Sequence, residues 1–485
     1  MDYELSEVIG IAAVYAAACI PAWIVFNRRR DPFDPRVFFL VFYAYVTTGP
    51  CIFKVFVSGA YHPGLKVDRL MPVLFSCATA IVGFSLGSTF ALRSVKAGAI
   101  SRAFSSAAGT RRDRSSSTLV RELAIVGAAL SLCSYGYFSY QLQAQYVDEG
   151  SGGKAYVIAS ADELTVRNYY FFAAATTASM TLAIIADAYA SRGMFSVVIL
   201  SLLAAEFGVC MYGGERDFLL VGGVWCLANW RKLSNAQVMM FAVALVGWLG
   251  ISPVLRSAGL GFGNQFAAVE HVSSEDWLYS VTHFAPNVHV FTNVAADVPG
   301  IESYWRGYSL LGVAASFLPG ESALKEVTPS RWFRDVYDMQ KVAGFAFSQD
   351  AEAYLNFGWI GPPIWFAVWG YLLSVAYRRA ARPTARLFDV FTWWYAVATS
   401  LFGVRSDSRG VIKMLVLGMV AAKLLCWVAD AWAQQKDRGV IARPKAPAIV
   451  PPRVGNPGTW PAALSDRQSG TGAEFKRRGN THRAG

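Results

Sequence analysis

The stretch Ser348-Gln-Asp-Ala-Glu-Ala-Tyr-Leu-Asn-Phe-Gly-Trp-Ile-Gly361 sets two carboxylates, a phenol and a carboxamide just ahead of a long apolar run. On a helix, residues four apart are neighbours, so Asp350 and Tyr354 share one face and Glu352 and Asn356 another. A carboxylate where water meets lipid is partly desolvated, which can tune it as a general base. Glu352 lies one turn in and is the candidate base. Asp350 is a second candidate acid, but with Ser348 it equally suits the capping of a helix N-terminus. Two further groups could carry chemistry. Glu206 falls inside an apolar run, where an acid is expensive; it is either functional or a structural link to Lys413 or Lys423. Three of the five histidines, His271, His283 and His289, lie between 255 and 355. His289 is an alternative base, although such histidines also serve as plain surface or packing residues.

A second set of residues could hold an anion. Arg216 sits in Gly213-Gly-Glu-Arg-Asp217, and Arg256 follows an apolar run. Arg306, Arg331 and Arg334 lie further on, and Arg405 and Arg409 lie in Val404-Arg-Ser-Asp-Ser-Arg-Gly410. Guanidinium grips phosphate through paired donors and keeps its charge when partly buried, so a ring of such groups at headgroup level suits a lipid diphosphate. Each arginine equally suits pairing with Glu215, Asp217, Asp407 or a lipid headgroup. Trp305, Trp332, Tyr304 and Tyr337 offer flat faces to a sugar, or anchor in the interface.

These residues need a frame. The chain has 485 residues, 54% hydrophobic and only 16% charged. Soluble domains carry about 25% charged residues, so lipid must replace much of the water around this chain. Apolar runs of spanning length recur near 6–26, 37–57, 69–91, 119–141, 168–190, 194–213, 217–231, 236–254, 356–377, 387–404 and 410–432. They predict an all-α polytopic membrane protein of about eleven helices, within a range of about ten to thirteen. The seventh run is short. The acidic N-terminus lacks the positive segment of a cleavable signal, and Arg28–Arg30 follow the first run, so the N-terminus is expected outside. Alternation then places Arg93–Arg121, Arg192, Arg231, Lys232, Arg378–Arg386 and Lys436 inside, as the positive-inside rule asks. The formal charge of +11 therefore reflects topology and gives no reason to expect nucleic acid.

Residues 1–254 read as membrane helices with a cytoplasmic linker at 93–118. Residues 255–355 read as one large outer loop, 356–432 as further membrane helices, and 433–485 as a disordered cytoplasmic tail. Within the loop, the apolar stretch 307–319 is too short to span and suggests a short re-entrant or interfacial helix. The seven cysteines lie in apolar stretches and the histidines lack ligand spacing, so neither a disulfide framework nor a metal site is expected.

With these residues in view, the chain resembles the bacterial oligosaccharide repeat-unit polymerases of the Wzy type, relatives of the O-antigen ligases. The likeness rests on Asp31-Pro-Phe-Asp-Pro35, Gly214-Glu-Arg-Asp217, Arg405-Ser-Asp407 and the long loop closing in Ala351-Glu-Ala-Tyr-Leu-Asn-Phe-Gly-Trp-Ile-Gly361. It extends to about Trp432 and is strongest over 345–361. The resemblance implies a GT-C-like membrane glycosyltransferase in the bacterial inner membrane, its active site facing the periplasm. Such an enzyme moves a growing glycan from undecaprenyl diphosphate onto a lipid-linked repeat unit, without metal or other cofactor. A flippase and a chain-length regulator of the same pathway are candidate partners.

By position, the diphosphate role falls on Arg216, Arg256 and Arg405, with Arg334 and Arg409 as further candidates. Glu352 would activate the acceptor hydroxyl or steady positive charge at the sugar, with Asp350 and His289 as alternatives. Tyr354, Asn356 and Trp305 are candidates for holding the sugar. The ligases place a His-Asn pair where this chain has Ser348-Gln-Asp350, which weakens the ligase alternative. A flippase for lipid-linked oligosaccharide is the other competing class; it would need a polar path across the bilayer.

Overall fold

The structure, a computed structural model, describes residues 2–29, 34–53, 65–93, 111–146, 162–190, 196–213, 218–229, 287–318, 328–337, 347–382, 384–404 and 406–441, with scattered positions between 233 and 247. It is 89% helical and holds no strand among the described residues. Among the described residues, six helical stretches are long and apolar enough to cross a membrane: Leu5–Arg28, Val67–Leu92, Ser117–Leu142, Leu164–Ala188, Gln349–Ala380 and Ser408–Gln435. The chain is therefore an all-α, multi-pass membrane protein in composition and length of helix.

In chain order the helices are α1 (Asp2–Arg29), α2 (Pro35–Phe53), α3 (Leu70–Leu92), α4 (Arg111–Tyr146), α5 (Glu163–Ala190), α6 (Val197–Gly213) and α7 (Phe218–Ala228). Then follow α8 (Asn287–Asp297), α9 (Tyr308–Ala315), α10 (Pro329–Tyr337), α11 (Gln349–Phe357), α12 (Gly361–Ala380), α13 (Leu387–Gly403) and α14 (Ser408–Ile441). The shortfall against about eleven spans has a physical reason. Helices α6 and α13 have 17 residues and α7 has 11. At about 1.5 Å per residue none of these reaches across a hydrocarbon core of about 30 Å unaided. Helix α2 has 19 residues and ends at Phe53, the last described residue before 65. The run at 236–254 lies mostly outside the described residues. Helix α4 begins at Arg111, so the end of the expected linker is helical.

Two helix pairs form the frame, α3 with α12 and α4 with α5. Gly83 and Gly87, four apart on α3, bring its backbone against α12. A Cβ on Gly83 would run into the carbonyl oxygen of Pro363, and one on Gly87 into that of Ala367. Gly370 answers from α12, facing the Phe84 carbonyl, and the Ser88 hydroxyl donates to the Gly370 carbonyl oxygen at 3.1 Å. In lipid, where apolar burial drives little association, such close backbone contact is what joins helices. The residue order shows that α3 and α12 run parallel. Phe39 of α2 stacks on Phe84 of α3 at 4.5 Å, and Tyr43 meets Phe366 of α12 at 4.9 Å.

The long segment between α7 and α12 is not a separate lid where it is described. Val290, Phe291 and Val294 of α8, Phe333 of α10 and Phe347 belong to the same buried core as α2, α3 and α12. A short helix, α9, occupies part of the stretch read as 307–319.

Candidate functional site

Helix α11 is short and polar, yet every residue from Gln349 to Asn356 is buried. Such a helix survives only if its polar groups are bonded. Their partners come from four directions. Asp350 Oδ2 accepts from the Tyr43 hydroxyl of α2 at 2.7 Å and from the Cys77 thiol of α3 at 3.5 Å, while Oδ1 accepts from the Ala351 backbone N–H at 2.9 Å. Asp350 is thus tied sideways to α2 and α3 and does more than favour its own helix dipole. Ser348 occupies the N-cap position, but its hydroxyl makes no capping bond and has no partner among the described residues. The expectation of a serine cap is corrected accordingly.

Glu352 points the other way, to the first turn of α14. Its Oε2 accepts from the Ser408 N–H and its Oε1 from the Ser408 hydroxyl, both at 2.6 Å. Ser309 of α9 also bonds its carboxylate. Beside it, Asp407 Oδ1 accepts from the Gly410 N–H at 3.2 Å and Oδ2 from the Ser330 hydroxyl at 2.8 Å. Two carboxylates therefore occupy the positive end of one helix, satisfying donors that the helix itself leaves open. Arg409, the second residue of α14, is half-buried next to this junction.

The far end of α11 is closed by residues 304–309. The Trp305 and Arg306 N–H groups donate to the Leu355 and Asn356 carbonyl oxygens, each at 3.0 Å. Asn356 Oδ1 accepts from the Gly307 N–H at 2.9 Å, and its Nδ2 donates to the Ser309 hydroxyl at 2.8 Å. Gly307 sits at φ 92° and Arg306 at φ 50°. The left-handed turn that docks this segment suits glycine and is uncommon for an arginine. Gly358, at φ 65°, then turns the chain from α11 towards α12. The Tyr337 hydroxyl donates to Asp297 Oδ2 at 2.6 Å, clamping α10 to α8. Burial and then that carboxylate push the Tyr337 phenol above its ordinary range, so it stays protonated.

A cavity of about 290 Å³ opens where α11 turns into α12. Arg69, Pro299, Gly300, Tyr304, Tyr354 and Trp359 are among its walls. The Tyr354 hydroxyl donates to the Val298 carbonyl oxygen at 2.8 Å, and its ring meets Trp359 edge-on at 4.6 Å.

The structure brings Asp350, Glu352, Tyr354 and Asn356 together on α11. Trp305 joins them through its backbone; its ring lies against Trp332 at 5.6 Å, so the aromatic wall of the cavity is Tyr304, Tyr354 and Trp359 instead. His289 is half-buried on α8, a helix that packs on α11. Arg216, Arg256, Arg405, His271 and His283 lie outside the described residues. Arg334 lies on α10, with its side chain outside them. Glu206 is buried in α6, which packs on α4 and α7, and the Lys423 ammonium sits 4.8 Å from the Phe388 ring. Sequence reasoning missed Arg69. Its signal was an arginine at the first position of the third apolar run, masked by the adjacent Asp68. Comparison with protein-family models, with curated proteins and with solved structures finds no match.

Proposed function

We propose that this chain is a membrane glycosyltransferase of the repeat-unit polymerase class, with about eleven spans in a GT-C-like arrangement. Its substrate is an undecaprenyl diphosphate-linked oligosaccharide, and its site faces the periplasm of a bacterial inner membrane. The observation that carries the reading is α11 itself. The segment that bears the resemblance is a buried polar helix with two carboxylates, and it ends at a cavity walled by a guanidinium and aromatic rings.

The chemistry asks for little. An acceptor hydroxyl attacks the anomeric carbon, the bond to the diphosphate breaks, and undecaprenyl diphosphate leaves with the electron pair. The hydroxyl proton passes to a carboxylate, for which Glu352 is the candidate. Both oxygens of Glu352 accept from Ser408 here, so a substrate hydroxyl would have to displace the Ser408 hydroxyl. The same bonds favour a second role, in which Glu352 positions the start of α14 and with it Arg409 for the diphosphate. Ser408→Ala separates the two: it should spare a base but weaken a positioning device.

The test is the lipid-linked oligosaccharide profile of a deletion strain complemented with wild type or Glu352→Gln. The reading expects single repeat units, already exported, to accumulate without polymer. Units trapped on the cytoplasmic side would instead favour a transporter.

A further inference from the structure

We infer that the cavity walled by Arg69, the 298–304 segment, Tyr354 of α11 and Trp359 binds a pyranose ring carrying an anionic substituent. The inference rests on the glycosyltransferase reading of α11 and adds the ligand chemistry of this particular cavity. Its volume of about 290 Å³ falls just below the range of about 300–1,000 Å³ for ligand pockets, which suits about one or two sugar rings and not a drug-sized apolar ligand.

Charge selects within that class. Among the described lining residues Arg69 is the only charged one, and none is acidic. Its partner Asp68 lies 3.4 Å away, but the two side chains are 45% and 71% exposed. A solvated pair of this kind is weakly held, so the guanidinium can turn to an incoming anion. The walls suit a ring. Trp359 is 41% exposed, yet its indole is fixed by Tyr354 at 4.6 Å and Phe291 at 6.3 Å. A pinned aromatic face offers the C–H side of a sugar a surface at low entropic cost. The Tyr354 hydroxyl donates to Val298 and is hydrogen-bonded with the Tyr304 hydroxyl, so the two phenols together present a polar edge to a sugar hydroxyl. A Cβ on Gly300 would touch only the Asp297 carbonyl oxygen, at 3.9 Å, so backbone rather than side chain forms that wall.

The anion can be a ring carboxylate, as in a uronic acid, or a phosphate on the anomeric carbon. Saturation-transfer NMR on the full chain in lipid nanodiscs, with glucuronate, glucose 1-phosphate and glucose as separate probes, distinguishes them. Wild type should bind at least one anionic probe more tightly than glucose. Loss of one charge-assisted contact in Arg69→Gln should weaken that probe by about tenfold or more. Arg69→Lys should restore part of it, and Trp359→Leu should weaken all three probes. Equal binding of glucose and both anions, or anion binding indifferent to Arg69→Gln in a protein of unchanged melting temperature, overturns the proposal. Glu352→Gln should bind the anionic probe as wild type does. Polymer made by Glu352→Gln would sink the catalytic reading while the probe measurements still decide the cavity.

Discussion

The seam between α3 and α12 and the junction between α11 and α14 lie a few turns apart, but they exclude water by opposite means. At the seam, Gly83, Gly87 and Gly370 let two backbones touch, leaving no room for a ligand. At the junction, Asp350, Glu352 and Asn356 are buried because hydroxyls, a thiol and backbone N–H groups from distant helices surround them. The first arrangement tolerates no added atom. The second can exchange one donor for another, which is what the proposed chemistry asks of a substrate hydroxyl. The seam holds structure, and on the proposed reading the chemistry falls at the junction.

Substitutions can break this contrast, beginning with the most damaging. Gly87→Leu should abolish folded protein, since its side chain meets the Ala367 backbone with nothing flexible to yield; fluorescence-detected size exclusion should show no monodisperse peak. Glu352→Ala leaves both Ser408 donors without their carboxylate and should cost about 1–3 kcal/mol, read as a lower melting temperature, along with all polymer. Glu352→Gln should recover most of that stability and none of the polymer. Asn356→Ala releases Gly307 and Ser309 and should cost about 1–2 kcal/mol, with limited proteolysis quickened near residue 306. Tyr43→Phe removes one donor from Asp350 and should cost about 1 kcal/mol in melting experiments, with polymer retained. If Tyr43→Phe proves as inactive as Glu352→Gln, the chemistry spreads to Asp350 and the junction has two working acids.

Much of the frame was legible because hydropathy is a local property. The runs at 6–26, 69–91 and 119–141 all fall inside described helical stretches, the second of them Val67–Leu92. The Gly83–Gly87 spacing was equally visible but went unused. The polar segment at 348–361 stood out by residue type, and its pairs four apart do share a helix. Its burial was not legible. A window over Gln349–Asn356 reads as surface, and only partners as remote as Tyr43, Cys77 and Ser408 turn it into core. Ser348 misled for the opposite reason: its type and position fit a cap, but its hydroxyl makes no capping bond. Arg69 was hidden because its charge cancels that of Asp68 when residues are counted by sign.

The central claim is that the carboxylate of α11 serves glycan transfer. Purified protein in proteoliposomes, supplied with lipid-linked repeat units, tests it without the cell. Wild type should release undecaprenyl diphosphate in step with a ladder of longer glycans, and Glu352→Gln, equally folded, should produce neither. A ladder of undiminished length and rate from Glu352→Gln would contradict the account.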